Sequence, residues 1–366
     1  MAANPMSALP PGSTIGILGG GQLGRMLAMA AARLGLKCHV YSDHSGPAFD
    51  VAAATTVGAF EDLEAIERFA GTVDVVTYEF ENVPRATAAA AARVRPVRPG
   101  VAALEAAQDR LQEKQFIAGL GLPVAPFAAV GDERSLAAAV ARIGLPAILK
   151  TRRLGYDGKG QVRLKVDGDL KPGLAEIGDA PAILEGMINF ECEVSALCVR
   201  GLDGQMRFYD VPLNTHANGI LDTSAVPAPI SEATRSRAAE IASRIASALD
   251  YVGVLAVEMF YLGARAAEPL VINEIAPRVH NSGHWTIDAC LVSQFENHIR
   301  AVAGWPLGST ERHSDAIMTN LIGADVTRWP EIARSGAAGL HLYGKNDPRP
   351  GRKMGHVTEI RPKTGA

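Results

Sequence analysis

Cysteine is scarce in this chain, and its scarcity excludes several classes. Of 366 residues only four are cysteines, Cys38, Cys192, Cys198 and Cys290, none in a CxxC pair, so neither a disulfide framework nor a thiolate zinc site is implied. An excess of one charge is also missing: 36 Lys and Arg stand against 39 Asp and Glu, a net −3 that leaves no broad basic face for duplex DNA. Aromatic residues make up only 5%, and no apolar run approaches the roughly 20 residues of a membrane span. Residues 1–12 carry neither a basic n-region nor an apolar h-region, so a cytoplasmic protein without membrane or nucleic-acid partners is expected. What is present is a 48% hydrophobic chain, enough at roughly 100–200 residues per domain for two or three packed domains.

The first hundred residues alternate apolar runs of strand length with Ala/Leu-rich helical stretches, the pattern of a doubly wound α/β sheet. Strands are expected at Thr14–Leu18, Lys37–Tyr41 and Val73–Tyr78, with a helix over Arg25–Leu34. Gly19, Gly21 and Gly24 fit GxGxxG between strand and helix, and Asp43 lies where a ribose-binding acid would stand. The same glycines serve any sharp strand-to-helix turn that presents amides to a phosphate or carboxylate, so the dinucleotide reading does not stand alone. After a helical stretch from Val101 to Gly119, a second unit contains Pro146–Lys150 as a strand, the loop Gly155-Tyr156-Asp157-Gly158-Lys159-Gly160, and a strand starting at Gln161. A Walker A loop needs a helix after the glycines and Ser/Thr after the lysine, so a hairpin lid is expected here.

Two otherwise apolar runs each carry one acid: Glu258 in Val254–Tyr261 and Glu274 in Leu270–Ile275. Folded as an antiparallel hairpin about the turn between them, they place the carboxylates nearly opposite each other on one face. Directly opposed like charges destabilise a sheet, and burying both is costly unless a cation compensates. Mg²⁺ (or Mn²⁺), held by carboxylates, water and nucleotide phosphate, is the natural compensator. With Lys150 on one strand end and Lys159 on the lid, the set suits phosphoryl transfer, where catalysis is mostly positioning and charge neutralisation.

The residues resemble the ATP-grasp superfamily and, within it, the N5-carboxyaminoimidazole ribonucleotide synthetase family of purine biosynthesis. The resemblance runs from about Ile15 to His356 through Gly20–Met26, Tyr78–Val83, Gln108-Asp109-Arg110, Gly155–Gln161, Asn273–Arg278, His280–Thr286, Tyr343-Gly344-Lys345 and Arg352–His356. It implies a three-part ATP-grasp fold of a doubly wound domain (12–108), a small lid subdomain (109–188) and a larger α+β portion with the metal hairpin (189–308), followed by a β-rich extension (309–366). It also implies ATP- and bicarbonate-dependent carboxylation of 5-aminoimidazole ribonucleotide through carboxyphosphate, by a homodimer. For ATP it points to Arg110, Lys150, the lid residues Gly155, Tyr156, Asp157, Gly158, Lys159, Gly160 and Gln161, the segment Glu185, Gly186, Met187 and Ile188 at adenine, Glu193 at ribose, and His216, with Asn273 beside Glu258 and Glu274. For the ribonucleotide it points to Gln22, Leu23, Glu79, Asn82, Asn281 and Ser282, and for its 5′-phosphate to Lys345, Arg352 and Lys353. Tyr156 and Asp157 would orient the amine, and Arg278 would hold bicarbonate. One departure from the wider superfamily is Ala276, where many members carry Asn two residues after the second metal glutamate.

Three other readings compete. A dinucleotide oxidoreductase accounts only for the first forty-odd residues, a formate-dependent glycinamide ribonucleotide transformylase shares the plan but activates formate, and a non-catalytic nucleotide sensor leaves the glutamate pair and lid without purpose. His280 and His284 have i,i+4 spacing, but Asn281-Ser282-Gly283 between them favours a loop over a helical zinc face.

Overall fold

The computed structural model describes residues 8–153, 155, 160–178 and 180–364. The lid residues Tyr156, Asp157, Gly158 and Lys159 lie outside the described residues.

The N-terminal unit is a four-stranded parallel sheet of β1 (Thr14–Leu18), β2 (Lys37–Ser42), β3 (Ala54–Val57) and β4 (Val75–Tyr78) in the order β3-β2-β1-β4. β3 has no hydrophobic signature in the sequence: its residues are largely exposed, as befits a short edge strand. Ile15, Ile17, Val40 and Val75 are buried because a doubly wound sheet is covered on both faces. One face packs through α1 (Gln22–Arg33) onto Phe295, Ile299 and Val302 of the helix Gln294–Val302, and Tyr343 joins the same cluster. This shared core seats the carboxyl edge of the N-terminal sheet against the C-terminal tail. On the other face α2 (Leu63–Gly71) and α3 (Arg85–Ala92) pack with Leu18 and Val76.

The helical stretch Val101–Gly119 is two helices, α4 (Val101–Ala107) and α5 (Arg110–Gly119). The break is at Asp109, which caps α5 by accepting from Leu111 N (3.0 Å) and Gln112 N (3.3 Å). An N-cap acid must leave the helical conformation, so the two periodic stretches cannot be continuous.

β5 (Phe127–Val130), β6 (Ala147–Thr151), β7 (Gln161–Leu164) and β8 (Ala182–Gly186) form an antiparallel sheet ordered β5-β8-β6-β7, covered by α6 (Glu133–Ile143). β6 and β7 are the expected lid hairpin, with Lys150 opposite Gln161. The third sheet runs β14-β13-β9-β11-β12-β15-β17-β16, with β10 (Met206–Phe208) paired to β9. Its strands are β9 (Cys192–Arg200), β11 (Leu213–Ala217), β12 (Ile220–Val226), β13 (Gly253–Tyr261), β14 (Leu270–Ala276), β15 (Ser314–Ile322), β16 (Ala338–Leu342) and β17 (Lys353–Pro362). The helix Glu232–Ala248 buries Ala238, Ile241, Ala242 and Ile245 against one face, leaving the other for the site. No helix among the described residues is long and apolar enough to cross a membrane.

Candidate active site

β13 and β14 pair antiparallel with Glu258 directly opposite Glu274. The register then slips, so that Met259 pairs with Ile272 and Asn273 is the extra residue of a β-bulge. The polar face continues along β13 and β9, where Glu258 stands opposite Ser195 and Phe260 opposite Glu193. Burial pushes the Glu258 carboxyl up, but the His280 imidazole, 2.8 Å away, overrides it and holds it below the usual range. Glu274 has no such partner: burial, then the Glu258 charge, raise it. His280 is thus a site residue that its spacing to His284 concealed. Ser282, fully buried, bonds His280 Nδ1 (2.9 Å) and Ser195 Oγ (2.7 Å), and so orients that imidazole from behind. His284 turns away into the core beside Gln294 (3.2 Å), so the two histidines share no ligand.

The cations approach from the small sheet. Lys150 Nζ lies 3.1 Å from Glu185 Oε2, and the fully buried Lys114 reaches the same oxygen at 3.4 Å. Burial raises the Glu185 carboxyl, but the two lysines reverse the shift and keep it ionised. Arg110, at the first turn of α5, donates to Thr151 O (3.2 Å) and Gly155 O (3.0 Å), gripping the base of the lid. At Gly160 (φ +69°) a Cβ would fall 2.6 Å from Thr151 Oγ1, so the lid hairpin closes only on glycine there. Gln161 is exposed at the start of β7. Beyond Gly186, Met187 and Phe190 are exposed, Ile188 is half-buried, and Phe190 stacks on Phe260 with centroids 4.6 Å apart. Glu193 pairs with His216 at 3.1 Å; the imidazole is lowered by burial but carried above its ordinary value by this carboxylate.

A second polar centre lies at the carboxyl edge of the N-terminal sheet. Glu79, just past β4, accepts from Gly21 N and from Gly24 N (2.8 Å), so the anion corner of the glycine turn is filled by the protein's own carboxylate. A Cβ on Gly19 would sit 2.4 Å from Glu79 Cγ and one on Gly21 2.5 Å from its Oε1. The glycines therefore admit Glu79, and a pyrophosphate in that corner would meet a negative charge. Gln22 is half-buried and Leu23 buried at the same turn, and Asn82 lines a cleft of about 660 Å³ with Gln108, Gln112 and Arg153. Arg278 is bound by both oxygens of Glu81, the second at 3.0 Å. Burial pushes Glu81 up, but the guanidinium takes it down to about 2. Both amide atoms of Asn281 are buried without a hydrogen-bond partner among the described residues. Lys345 Nζ donates to Lys353 O (2.7 Å), and Arg352 donates to Asp347 O (3.0 Å). Burial, then Arg352, push the Lys345 amine down to about 8, with Glu79 opposing and Lys353 adding to the shift. Such crowding of cations is relieved by an anion.

Three family models cover the chain: the ribonucleotide synthetase preATP-grasp domain over residues 13–108, the ATP-grasp domain over 115–295, and the phosphoribosylaminoimidazole carboxylase C-terminal domain over 316–366. The chain is 52% identical to the N5-carboxyaminoimidazole ribonucleotide synthase of Brucella melitensis, over 98% of this chain and 99% of that one. The crystal structure of the Thermus thermophilus N5-carboxyaminoimidazole ribonucleotide synthetase superposes with a TM-score of 0.88 at 47% identity, over 95% and 94% of the two chains. The Aspergillus clavatus enzyme in complex with ADP and 5-aminoimidazole ribonucleotide superposes with a TM-score of 0.88 at 32% identity, over 96% and 95%. With the fold, the opposed glutamates and the full length of the chain all in agreement, the protein belongs to the N5-carboxyaminoimidazole ribonucleotide synthase family of ATP-grasp ligases.

Proposed function

We propose that this ligase carboxylates 5-aminoimidazole ribonucleotide on its exocyclic amine, using ATP and bicarbonate and releasing ADP and phosphate. The observation that carries the reading is the direct opposition of Glu258 and Glu274 on the face toward which Arg110 and Lys150 bring positive charge. An all-oxygen carboxylate pair of this kind fits Mg²⁺ or Mn²⁺, with Glu258 and Glu274 as ligands and Asn273 beside them. Bound there, the ion supplies neutralisation of phosphate charge. Arg110 and Lys150 meet the phosphates from the other side, Phe190, Phe260 and Met187 offer an apolar surface to the base, and Glu193 accepts from the ribose hydroxyls. Bicarbonate attacks the γ-phosphate, giving ADP and carboxyphosphate, and the amine of the ribonucleotide captures the carboxyl as phosphate leaves. Arg278, its guanidinium kept charged by Glu81, holds bicarbonate, and Asp157 with Tyr156 on the lid orients the amine. Lid closure keeps water from the acyl phosphate. The 5′-phosphate lies at Lys345, Arg352 and Lys353, and Asn281 hydrogen-bonds the ribonucleotide. The protein works as a cytoplasmic homodimer without nucleic-acid or membrane partners.

The test is ADP release in the presence of each substrate alone and together. Full rate requires both bicarbonate and the ribonucleotide, with an acid-labile carbamate as product. Turnover supported by formate in place of bicarbonate, or ATP hydrolysis indifferent to bicarbonate, overturns the reading. Sedimentation velocity on the purified protein decides the dimer.

A further inference from the structure

β14 is an edge strand of the large sheet, yet its outer edge is buried against α5. A buried edge must have its amides and carbonyls answered, and among the described residues a single bridge reaches it, Ile272 N donating to Pro123 O (2.9 Å) beside the Val124–Ile272 pairing. Three further backbone groups around the bulge are taken by two consecutive side chains of α5. Lys114 Nζ donates to Asn273 O (2.5 Å) and Ile272 O (3.3 Å), and Glu113 Oε1 accepts from Ile275 N (2.6 Å). The two side chains are 1% and 3% exposed, so neither is there for solubility. Adjacent residues on a helix point about 100° apart, which lets one reach the carbonyls before Glu274 and the other the amide after it. Lys114 also touches Glu185, which holds Lys150, so the chain of contacts runs from the nucleotide cation to the backbone of the glutamate hairpin.

Burying two ionisable side chains is expensive, and non-ionisable ones would answer the same backbone groups at lower cost. The bulge is what departs from strict alternation at Asn273 and Glu274, and a bulge of this kind re-aims the side chains beside it. We propose that Glu113 and Lys114 are positioning residues: they fix the bulge at Asn273 and thereby the aim of the Glu274 carboxylate at the divalent cation. The proposal rests on the metal reading given above.

The experiment measures Mn²⁺ binding directly, by the electron paramagnetic resonance signal of free Mn²⁺ in the presence of ADP, on the full chain. Glu113→Met and Lys114→Met weaken Mn²⁺ by about tenfold or more, the range found when a residue supporting a metal ligand is lost. The Mn²⁺ concentration for half-maximal turnover rises by the same factor, while KM for the ribonucleotide stays within about twofold. Glu113→Gln, which keeps an acceptor for Ile275 N, recovers binding to within about threefold of wild type. A merely structural role predicts lower thermal stability and a lower active fraction with unchanged Mn²⁺ affinity, and that result overturns the proposal. Equal loss in the Gln and Met variants at position 113 also overturns it. Should Lys114→Met not fold, the Gln and Met pair at position 113 decides alone. Glu274→Gln separates the two readings: unchanged Mn²⁺ binding in that variant defeats the metal site itself, whereas its loss there with wild-type binding in both Met variants defeats only the positioning role.

Discussion

Replacing Glu274 by Gln moves stability and activity in opposite directions. The substitution keeps the shape of the side chain and removes a charge that stands directly opposite Glu258 within the sheet. Opposed like charges in a cross-strand pair cost a few tenths to about 1 kcal/mol, so metal-free Glu274→Gln is more stable by up to about that amount. For a chain of this size that is a rise of up to about 1 °C in Tm. Because burial and then Glu258 raise the folded-state pKa of Glu274, its contribution is fully present at pH below the unfolded value and is lost as pH rises through the folded one. The variant lacks that loss, so its advantage grows with pH. Activity falls by at least about a hundredfold, since a cation ligand is gone while the lysines and the ribonucleotide cluster stay in place. The assay is differential scanning fluorimetry in EDTA across pH, paired with coupled ADP release at saturating bicarbonate and ribonucleotide. Turnover within about tenfold of wild type, or a metal-free variant less stable than the parent at high pH, refutes the reasoning.

The amine of Lys345, held near 8 by burial and then by Arg352, loses its charge above that pH, so kcat/KM for the ribonucleotide falls on the alkaline side; Lys345→Arg moves that limb up beyond pH 10. Lys353→Met weakens the ribonucleotide by about tenfold or more and ATP by less than about threefold, as a phosphate contact should, and equal losses contradict that placement. His298 is fully buried, bonded to Thr77 Oγ1 (2.9 Å) and to Val254 N (3.1 Å), with its pKa lowered to about 3 by burial. The unfolded chain therefore binds a proton that the folded chain refuses, so stability is full above the unfolded value near 6.5 and declines toward pH 3; denaturant titrations at pH 7 and 5 show a smaller decline in His298→Gln. Glu79→Ala leaves the amides of Gly21 and Gly24 without their acceptor and destabilises the protein by about 1–3 kcal/mol, read as a shift in urea midpoint.

Much of the architecture was written locally. The largely apolar runs at Thr14–Leu18, Lys37–Tyr41 and Leu270–Ile275 are strands because short apolar runs of this length bury within sheets, and each is found at or within a residue of its expected bounds. The opposition of Glu258 and Glu274 was legible because a hairpin relates residues by their distance from the turn, which is arithmetic on sequence positions. β3 was not legible: an exposed polar edge strand has no hydrophobic period to detect. Nor was the break at Asp109, since helical periodicity on both sides masks a cap between them.

The sequence alone, then, determined many of the buried strands, which two acids face each other and which glycines must turn. Only the tertiary structure decided what each charge is for. Glu79 reaches 55 residues back to Gly24, Lys114 158 residues forward to Ile272, and Arg278 197 residues back to Glu81. Within its own segment each of these residues looks like any other charge. Partners so distant leave no mark in local spacing or propensity, because they are brought together by the packing of whole sheets, and it is the low-dielectric setting of that packing that turns an ordinary acid or base into a clamp.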